Sequence, residues 1–143
     1  SLKSRIDTAI VLITHDMGVV ANMAQRVYVM YAGKIVEHGA APDVFKNPRH
    51  PYTWGLLYSI PRLDAPVKGA MAFIPGTPPD LFSPPKGCAF AARCRHAMNI
   101  CAVEQPPMYD FDEPEHRAAC WLYNDAAKEK YAGVIEKRGK ENG

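Results

Sequence analysis

All 13 prolines of this 143-residue chain lie between Pro42 and Pro114, and this uneven distribution divides the chain into parts with different folding capacity. Proline lacks a backbone N–H donor and fixes φ, so a proline-dense stretch supports neither inner strands nor long helices. The proline-free start can form regular α/β structure, whereas residues 65–123 are expected to be dominated by loops with short helices. The predicted fold class is therefore α/β, followed by a proline- and cysteine-rich extension.

The proline-free start contains an apolar run, Ala9 to Ile13, that ends abruptly at Thr14, His15 and Asp16. An uninterrupted apolar run of this length predicts a strand that is buried on both faces. Ligands bind at the carboxyl ends of such strands in open α/β sheets, and a histidine there can donate a hydrogen bond to a phosphate. His15 is a candidate phosphate contact, although a surface histidine that follows a core strand would give the same pattern.

Local signals predict a series of short elements in the rest of the chain. Asp16 can cap a helix, Ala32-Gly33 can form a hairpin turn, and proline suits the first turn of a helix. The predicted elements are a helix over residues 17–24, strands over 26–31 and 34–38, helices beginning at Pro42 and Pro51, and a charged helix over 124–137.

About the first forty residues resemble the end of an ATP-binding-cassette (ABC) ATPase. The resemblance rests on Leu12-Ile-Thr-His-Asp-Met-Gly-Val-Val20 and on Arg26-Val-Tyr-Val-Met-Tyr-Ala-Gly-Lys-Ile-Val-Glu-His-Gly39. In that family the histidine at the strand end is a switch that senses the γ-phosphate of the nucleotide, and the resemblance gives this role to His15. ATP and Mg²⁺ also need a G-x-x-x-x-G-K-[ST] loop and a carboxylate beside a strand. The chain has no such loop and no Ser-Gly-Gly signature, so we expect it to be the carboxy-terminal piece of a longer ATPase and to be inactive alone.

A second resemblance covers the proline-rich part. His50-Pro-Tyr-Thr53, Ile74-Pro-Gly-Thr-Pro-Pro-Asp80 and Pro84-Pro-Lys-Gly-Cys88 are similar to the extension on ATPase subunits of oligopeptide and dipeptide importers, and of related nickel importers. Composition alone would also fit a plain linker, but three prolines in residues 74–80 suit a fixed loop packed on another surface. The resemblance implies a second ABC ATPase subunit, two membrane-spanning permease subunits and, indirectly, an external peptide-binding protein as partners. It also implies a peripheral position on the cytoplasmic face of the inner membrane.

Four cysteines, Cys88, Cys94, Cys101 and Cys120, lie within 33 residues of this extension. Their spacing, C-x5-C-x6-C-x18-C, lacks the closely spaced pairs that are typical of zinc sites and fits the wider cage of an iron–sulfur cluster. Disulfides suit secreted chains, and no secretory segment opens this one. Four unrelated buried thiols would rarely cluster so closely. The spacing alone leaves iron–sulfur and zinc open.

In peptide-importer ATPases this quartet is associated with a [4Fe–4S] cluster. The family pattern Cys-Pro-Phe-Ala-Pro-Arg-Cys is present as Cys88-Ala-Phe-Ala-Ala-Arg-Cys94, with alanine in place of two prolines. The resemblance thus implies that all four cysteines hold the cluster, in a structural role, with zinc as the alternative. His96 and His116 are expected to be solvated or to lie beside the ligands.

Charge and length limit the remaining possibilities. The net charge of +2, from 17 basic and 15 acidic residues, gives no sign of nucleic-acid binding, and no run approaches the ~20 apolar residues of a membrane span.

We expect four segments: residues 1–41 as the end of the ATPase domain, 42–64 as a helical connector, 65–123 as the extension, and 124–143 as a charged helix and tail. The alternative is a free-standing metal-binding assembly or redox module with four cysteine ligands, for which the ABC-like start is only a scaffold.

Overall fold

A four-stranded antiparallel sheet organises the part of the chain that the computed structural model describes, residues 9–59, 74 and 76–137. The strands are β1 (Arg26–Tyr31), β2 (Lys34–Ala40), β3 (Met108–Asp110) and β4 (Arg117–Ala119), and their order in the sheet is β1-β2-β4-β3. The β1–β2 hairpin is confirmed. Its turn residues, Ala32 and Gly33, both have positive φ, of 49° and 76°, as a tight two-residue hairpin turn requires.

Strands β3 and β4 were not predicted, and they bring the proline-rich part of the chain onto the same sheet. Strand β4 pairs with β2 through Glu37 opposite Ala118 and His38 opposite Arg117, which are 81 and 79 residues apart in sequence. The predicted mixed α/β class with short helices is therefore confirmed in its coarse form. The division into four segments stays a prediction.

Six short α-helices surround the sheet in the described residues. They are α1 (Met17–Met23), α2 (Ala41–Lys46), α3 (Pro51–Tyr58), α4 (Asn99–Val103), α5 (Asp125–Lys128) and α6 (Ala132–Lys137). The expected cap of α1 is confirmed, because Asp16 Oδ1 accepts a hydrogen bond from the Val19 N–H at 3.0 Å. Proline is in the first turn of α2 and α3 as predicted, whereas the predicted charged helix at the end is two helices, α5 and α6.

The predicted buried strand over residues 9–13 was wrong in this structure. These residues form no strand, and Val11 and Ile13 are 88% and 95% exposed. A strand buried on both faces needs neighbouring strands and covering helices, and the described part of the chain places none beside this run. Residues 9–13 therefore form an apolar surface that the described part of the chain leaves exposed.

Two apolar clusters form the core. The first lies under the β1–β2 hairpin and contains Val27, Val29, Tyr31, Val36, Ala41, Val44 and Phe90. The second contains Trp54, Cys120, Leu122 and Tyr123, with Tyr131 and Ile135 of the C-terminal segment packed against it. Among the described residues, no helix is both long enough and apolar enough to cross a membrane.

Candidate cysteine site

The four cysteines line one small cavity, which we call the cysteine cavity, together with His50 and His96. It encloses about 10 Å³, which is room for roughly one water molecule. All four cysteines are free thiols, and Cys101 and Cys120 are buried. Four cysteines that are spread over 33 residues of sequence therefore lie around the same cavity.

Backbone contacts hold the first and third cysteines together. The Cys88 N–H donates to the carbonyl oxygen of Cys101 at 2.8 Å. This approach depends on Gly87, because an added Cβ would lie 2.6 Å from the carbonyl carbon of Ala102 and closer still to the carbonyl oxygen of Cys101. The Gln105 side-chain amide donates to the carbonyl oxygens of Lys86 and Gly87, which closes the same turn. The sequence Gly87-Cys88 therefore positions a sulfur against α4.

Each cysteine sulfur accepts a hydrogen bond from a backbone N–H. For Cys88, Cys94 and Cys120 the donors include the N–H two residues further along, those of Phe90, His96 and Leu122. Cys101 accepts instead from the Met98 N–H, at 3.4 Å. Hydrogen bonds of this kind stabilise the thiolate form, the form that ligates metals, and they are among the groups that tune iron–sulfur clusters.

The surroundings of the cavity nevertheless oppose free thiolates. Burial raises the pKa of Cys94 to about 11, and it also raises the pKa of Cys88 and of Cys120. Every pair among the four thiols interacts electrostatically, and each such interaction raises a pKa further. The raised pKa values favour the neutral thiol at Cys88, Cys94 and Cys120 unless a nearby cation offsets the negative charge of their thiolates.

The donor set is that of four thiols, and the described residues show no arrangement that holds a metal ion. In the described residues, no three Cys, His, Asp or Glu side chains are arranged to hold one metal ion, so the structure supports neither the expected cluster nor the zinc alternative. An iron–sulfur cluster spaces its four thiolates more widely and takes sulfur ligands with N–H donors beside them. The four cysteines match such a cluster in the type and number of their donor atoms.

The cysteine cavity is fixed to the β1–β2 hairpin through Arg93 and two aromatic rings. Arg93 donates to the Tyr31 hydroxyl at 3.2 Å and to the Ile74 carbonyl oxygen at 2.9 Å. The Phe90 ring meets Tyr31 edge-on, with 5.2 Å between the ring centroids. Residues 90–93, between the first two cysteines, therefore pack directly on the end of β1.

The histidines predicted near these sites occupy three different environments. His15 is exposed, in the bend before α1, and it is not among the cavity residues. His96 lines the cavity and packs edge-on against Trp54, with burial lowering its pKa. His116 was expected to be solvated or beside the ligands, and this was wrong: its side chain is fully buried and contacts Glu37 instead.

Sequence reasoning missed the buried carboxylate at the centre of this contact. Glu37 on β2 is fully buried, and it accepts hydrogen bonds from the N–H groups of Arg49 and His50 at 2.7 and 2.8 Å. The Nε2 atom of His116 lies 2.8 Å from Glu37 Oε1. We call these four residues the Glu37 network. A glutamate within the apolar strand Ile35-Val-Glu-His38 was the available signal.

An ion pair extends the Glu37 network to the surface. Arg49 donates to both carboxylate oxygens of Glu113, at 2.8 and 2.7 Å, and its guanidinium lies 4.4 Å from the centre of the Phe111 ring. Burial acts to raise the pKa of Glu113, but hydrogen bonds from its own backbone N–H and from Arg49 outweigh this and hold the pKa below its ordinary value. The Tyr123 hydroxyl donates to the Arg49 carbonyl oxygen at 2.7 Å. Arg49 therefore joins the hairpin, the connector and the extension.

The chain is similar in sequence to proteins of peptide transport. A family model described as the oligopeptide/dipeptide transporter C-terminal region matches residues 36–101. Over 127 residues, 89% of this chain and 36% of the relative, the chain is 52% identical to the oligopeptide transport ATP-binding protein OppD of Bacillus subtilis. Over 126 residues, 88% of this chain and 36% of the relative, it is 53% identical to the dipeptide transport ATP-binding protein DppD of Lactococcus lactis. The oligopeptide transport ATP-binding protein AmiE of Streptococcus pneumoniae is 48% identical over 136 residues, 94% of this chain and 38% of the relative.

These matches confirm the resemblance to peptide-importer ATPase subunits that the sequence indicated. The chain spans between a third and two fifths of the length of these relatives. The matched portion includes His50, the N-cap of α3, and three of the four cysteines, up to residue 101.

Proposed function

We propose, on the premise that this chain carries the C-terminal region of the oligopeptide/dipeptide transporter family, that it is part of an ATP-binding subunit of a peptide ABC importer. The observation that supports this most strongly is identity of about half over 89% of the chain to an ATP-binding protein of oligopeptide transport. The whole subunit would bind ATP and Mg²⁺ and would pair with a second ATPase subunit. The pair would drive two membrane-spanning permease subunits at the cytoplasmic face of the membrane, fed by an external peptide-binding protein.

His15 is the residue of this chain that we assign to the ATPase reaction. It follows the apolar run of residues 9–13 and precedes α1, where it is exposed and free to face a nucleotide bound by the rest of the subunit. A histidine at this point can donate a hydrogen bond to the γ-phosphate and stabilise the charge that develops during phosphoryl transfer. Its contribution is to hold and polarise the phosphate.

Replacing His15 with alanine in the full-length subunit is expected to lower the ATP hydrolysis rate about 10²-fold or more while leaving ATP binding nearly unchanged, because the lost interaction forms mainly in the transition state. The assay would measure the steady-state rate and nucleotide affinity of the assembled importer. His38→Ala, at a half-buried histidine on β2, is the matched control. Equal rates in the two variants would remove His15 from the mechanism.

We propose that Cys88, Cys94, Cys101 and Cys120 hold a [4Fe–4S] cluster. The support is their convergence on one cavity and the backbone N–H donor at each sulfur. When bound, such a cluster supplies a cationic iron core that keeps four thiolates deprotonated in a buried place. The protein residues exclude water, orient the sulfurs and fix the site to the β1–β2 hairpin through Arg93 and Phe90. A structural role follows from this attachment, since the site then anchors the extension to the ATPase part.

Anaerobically prepared protein is expected to contain about four irons and four sulfides per chain. The measurement is iron, acid-labile sulfide and zinc analysis, with absorbance in the thiolate-to-iron region. Replacing both Cys94 and Cys120 with serine should abolish iron binding, whereas His96→Ser, at a cavity residue that is not a proposed ligand, should retain it. Stoichiometric zinc in place of iron would contradict the assignment.

The alternative of a free-standing four-cysteine module receives no support from the comparisons. The relatives are ATP-binding proteins of peptide transport, and the match extends over most of the chain rather than over the cysteine region alone.

A further inference from the structure

His116 is a buried histidine whose ring lies between two carboxylates. Its Nε2 atom is 2.8 Å from Oε1 of Glu37 on β2, and its Nδ1 atom is 3.8 Å from Oε2 of Glu113, which lies between β3 and β4. The His116 side chain has no exposed surface. The ring therefore lies where the β1–β2 hairpin meets the connection between β3 and β4.

Close packing surrounds the His116 ring, and its two nitrogens differ in their contacts. An added Cβ at Gly39 would lie 3.1 Å from Cδ2 of the ring, and the Phe111 ring is 5.6 Å away, centroid to centroid. The Nδ1 atom is buried and has no hydrogen-bond partner within the described residues. A lone pair on Nδ1 would face the negative charge of Glu113, whereas an N–H group there would be attracted to it.

The carboxylate of Glu37 needs a positive charge close to it. Its hydrogen-bond partners are the backbone N–H groups of Arg49 and His50 and the ring of His116, and two N–H donors favour the ionised form of a carboxyl group. Glu37 is fully buried, and a buried ion is costly unless a charge of opposite sign is paired with it. Of these three partner groups, only the imidazole can be a cation.

The other charged groups that surround His116 in the described residues are already paired. Arg49 donates to both carboxylate oxygens of Glu113, so these two charges balance. The exposed ion pairs on the neighbouring strands are Arg26–Glu115 and Arg117–Asp110. Burial and neighbouring positive charges lower the pKa of His38, so this histidine adds no positive charge. The charge of Glu37 remains, and a proton on Nδ1 of His116 balances it.

We propose that His116 is an imidazolium with a proton on each ring nitrogen, and that this charge holds β4 to β2. The Nε2–H group donates to Glu37, and the Nδ1–H group faces Glu113. The folded chain then keeps a proton that an ordinary histidine loses near about pH 6.5, so the contact is closed at neutral pH and opens as the pH rises. The pairing of β2 with β4 consists of two residue pairs, one of which includes Glu37, and it is the part of the sheet expected to open. This inference depends on neither the ATPase assignment nor the cluster assignment.

Long-range ¹H–¹⁵N spectra of the 143-residue chain test this charge at pH 7.5, where an unperturbed histidine is about one tenth protonated. We expect both ring nitrogens of His116 to carry a proton, whereas His38 should be neutral in the same spectrum because burial lowers its pKa. Glu37→Gln removes the negative charge, so the ratio of charged to neutral His116 should fall about tenfold or more. Glu136→Gln, at an exposed glutamate of α6, should leave this ratio unchanged.

A second measurement uses only the wild-type chain and keeps the inference testable if Glu37→Gln does not fold. Hydrogen exchange, corrected for its intrinsic dependence on pH, should show the protection of residues 117–119 falling about tenfold between pH 7 and pH 9, with residues 27–29 of β1 unchanged. A proton on only one nitrogen of His116 at pH 7.5 would overturn the inference. An unchanged ratio in Glu37→Gln, or equal changes in protection at the two strands, would overturn it as well.

Discussion

Replacing Glu37 with alanine is expected to lower the free energy of unfolding by about 3–5 kcal/mol, the largest effect of any single substitution considered for this chain. The carboxylate accepts two backbone N–H groups and lies within hydrogen-bond distance of His116 Nε2, and it is fully buried. Its removal leaves three buried polar groups without an acceptor. The lost contacts lie beside the pairing of β2 with β4, since Glu37 lies opposite Ala118.

Denaturant unfolding of the chain at one fixed iron content would measure this loss. Glu136→Ala, at an exposed glutamate of α6, is the matched control and should change the free energy by no more than about 0.5 kcal/mol. Glu37→Gln should fall between the two, because its amide group retains one acceptor oxygen but presents N–H donors to groups that are themselves donors. Equal midpoints for Glu37→Ala and Glu136→Ala would show that the network contributes nothing.

The elements that were predicted from sequence share one property: their signals are local. Asp16 caps α1 three residues away, Ala32-Gly33 closes a hairpin between adjacent strands, and prolines occupy first turns. Each of these caps and turns is determined by residues that are close in sequence, so the local sequence is enough to predict it. The convergence of four cysteines was foreseen for a similar reason, since unusual clustering in sequence indicates a shared site.

The elements that were missed depend on distant partners. Strands β3 and β4 have three residues each, and they form a hairpin that pairs with β2 through residues about 80 positions away. Prolines at 106, 107 and 114 argued against strands there, but each of them lies outside the paired residues. The sequence predicts His116 to be solvated or beside the cysteine ligands, because its partner, Glu37, cannot be identified from either local sequence.

The run over residues 9–13 illustrates the opposite error. Its apolar pattern predicts burial, but burial is a property of the surfaces on both sides of a strand and not of the strand itself. His50 illustrates a third case. In the sequence it is only the start of the motif His50-Pro-Tyr-Thr53, and nothing in that motif indicates that His50 lines the same cavity as cysteines 38 to 70 positions later.

The iron-free chain is expected to lose stability as the pH falls from about 6.5 towards 3, and His50 should account for a large part of this loss. Burial lowers the pKa of His50 to about 3 in the folded chain, against about 6.5 for an unperturbed histidine. Between these values the unfolded chain binds a proton that the folded chain does not, so acid favours unfolding. The contribution of His50 is complete above pH 6.5. At pH 5, protonation of His50 in the unfolded chain lowers the free energy of unfolding by about 2 kcal/mol.

The difference between wild type and His50→Asn isolates this contribution from those of the other groups. Asparagine caps α3 without titrating, so the free energy of unfolding of His50→Asn should fall by about 2 kcal/mol less than that of wild type between pH 7 and pH 5. Burial also lowers the pKa of His38 and of His96, and since both residues are unchanged in the variant, their effects cancel in the comparison. Urea unfolding at half-unit pH steps would give the two curves. Parallel curves over this interval would mean that His50 is protonated as easily in the folded chain as in the unfolded one, and that its ring is not buried beside the cysteines.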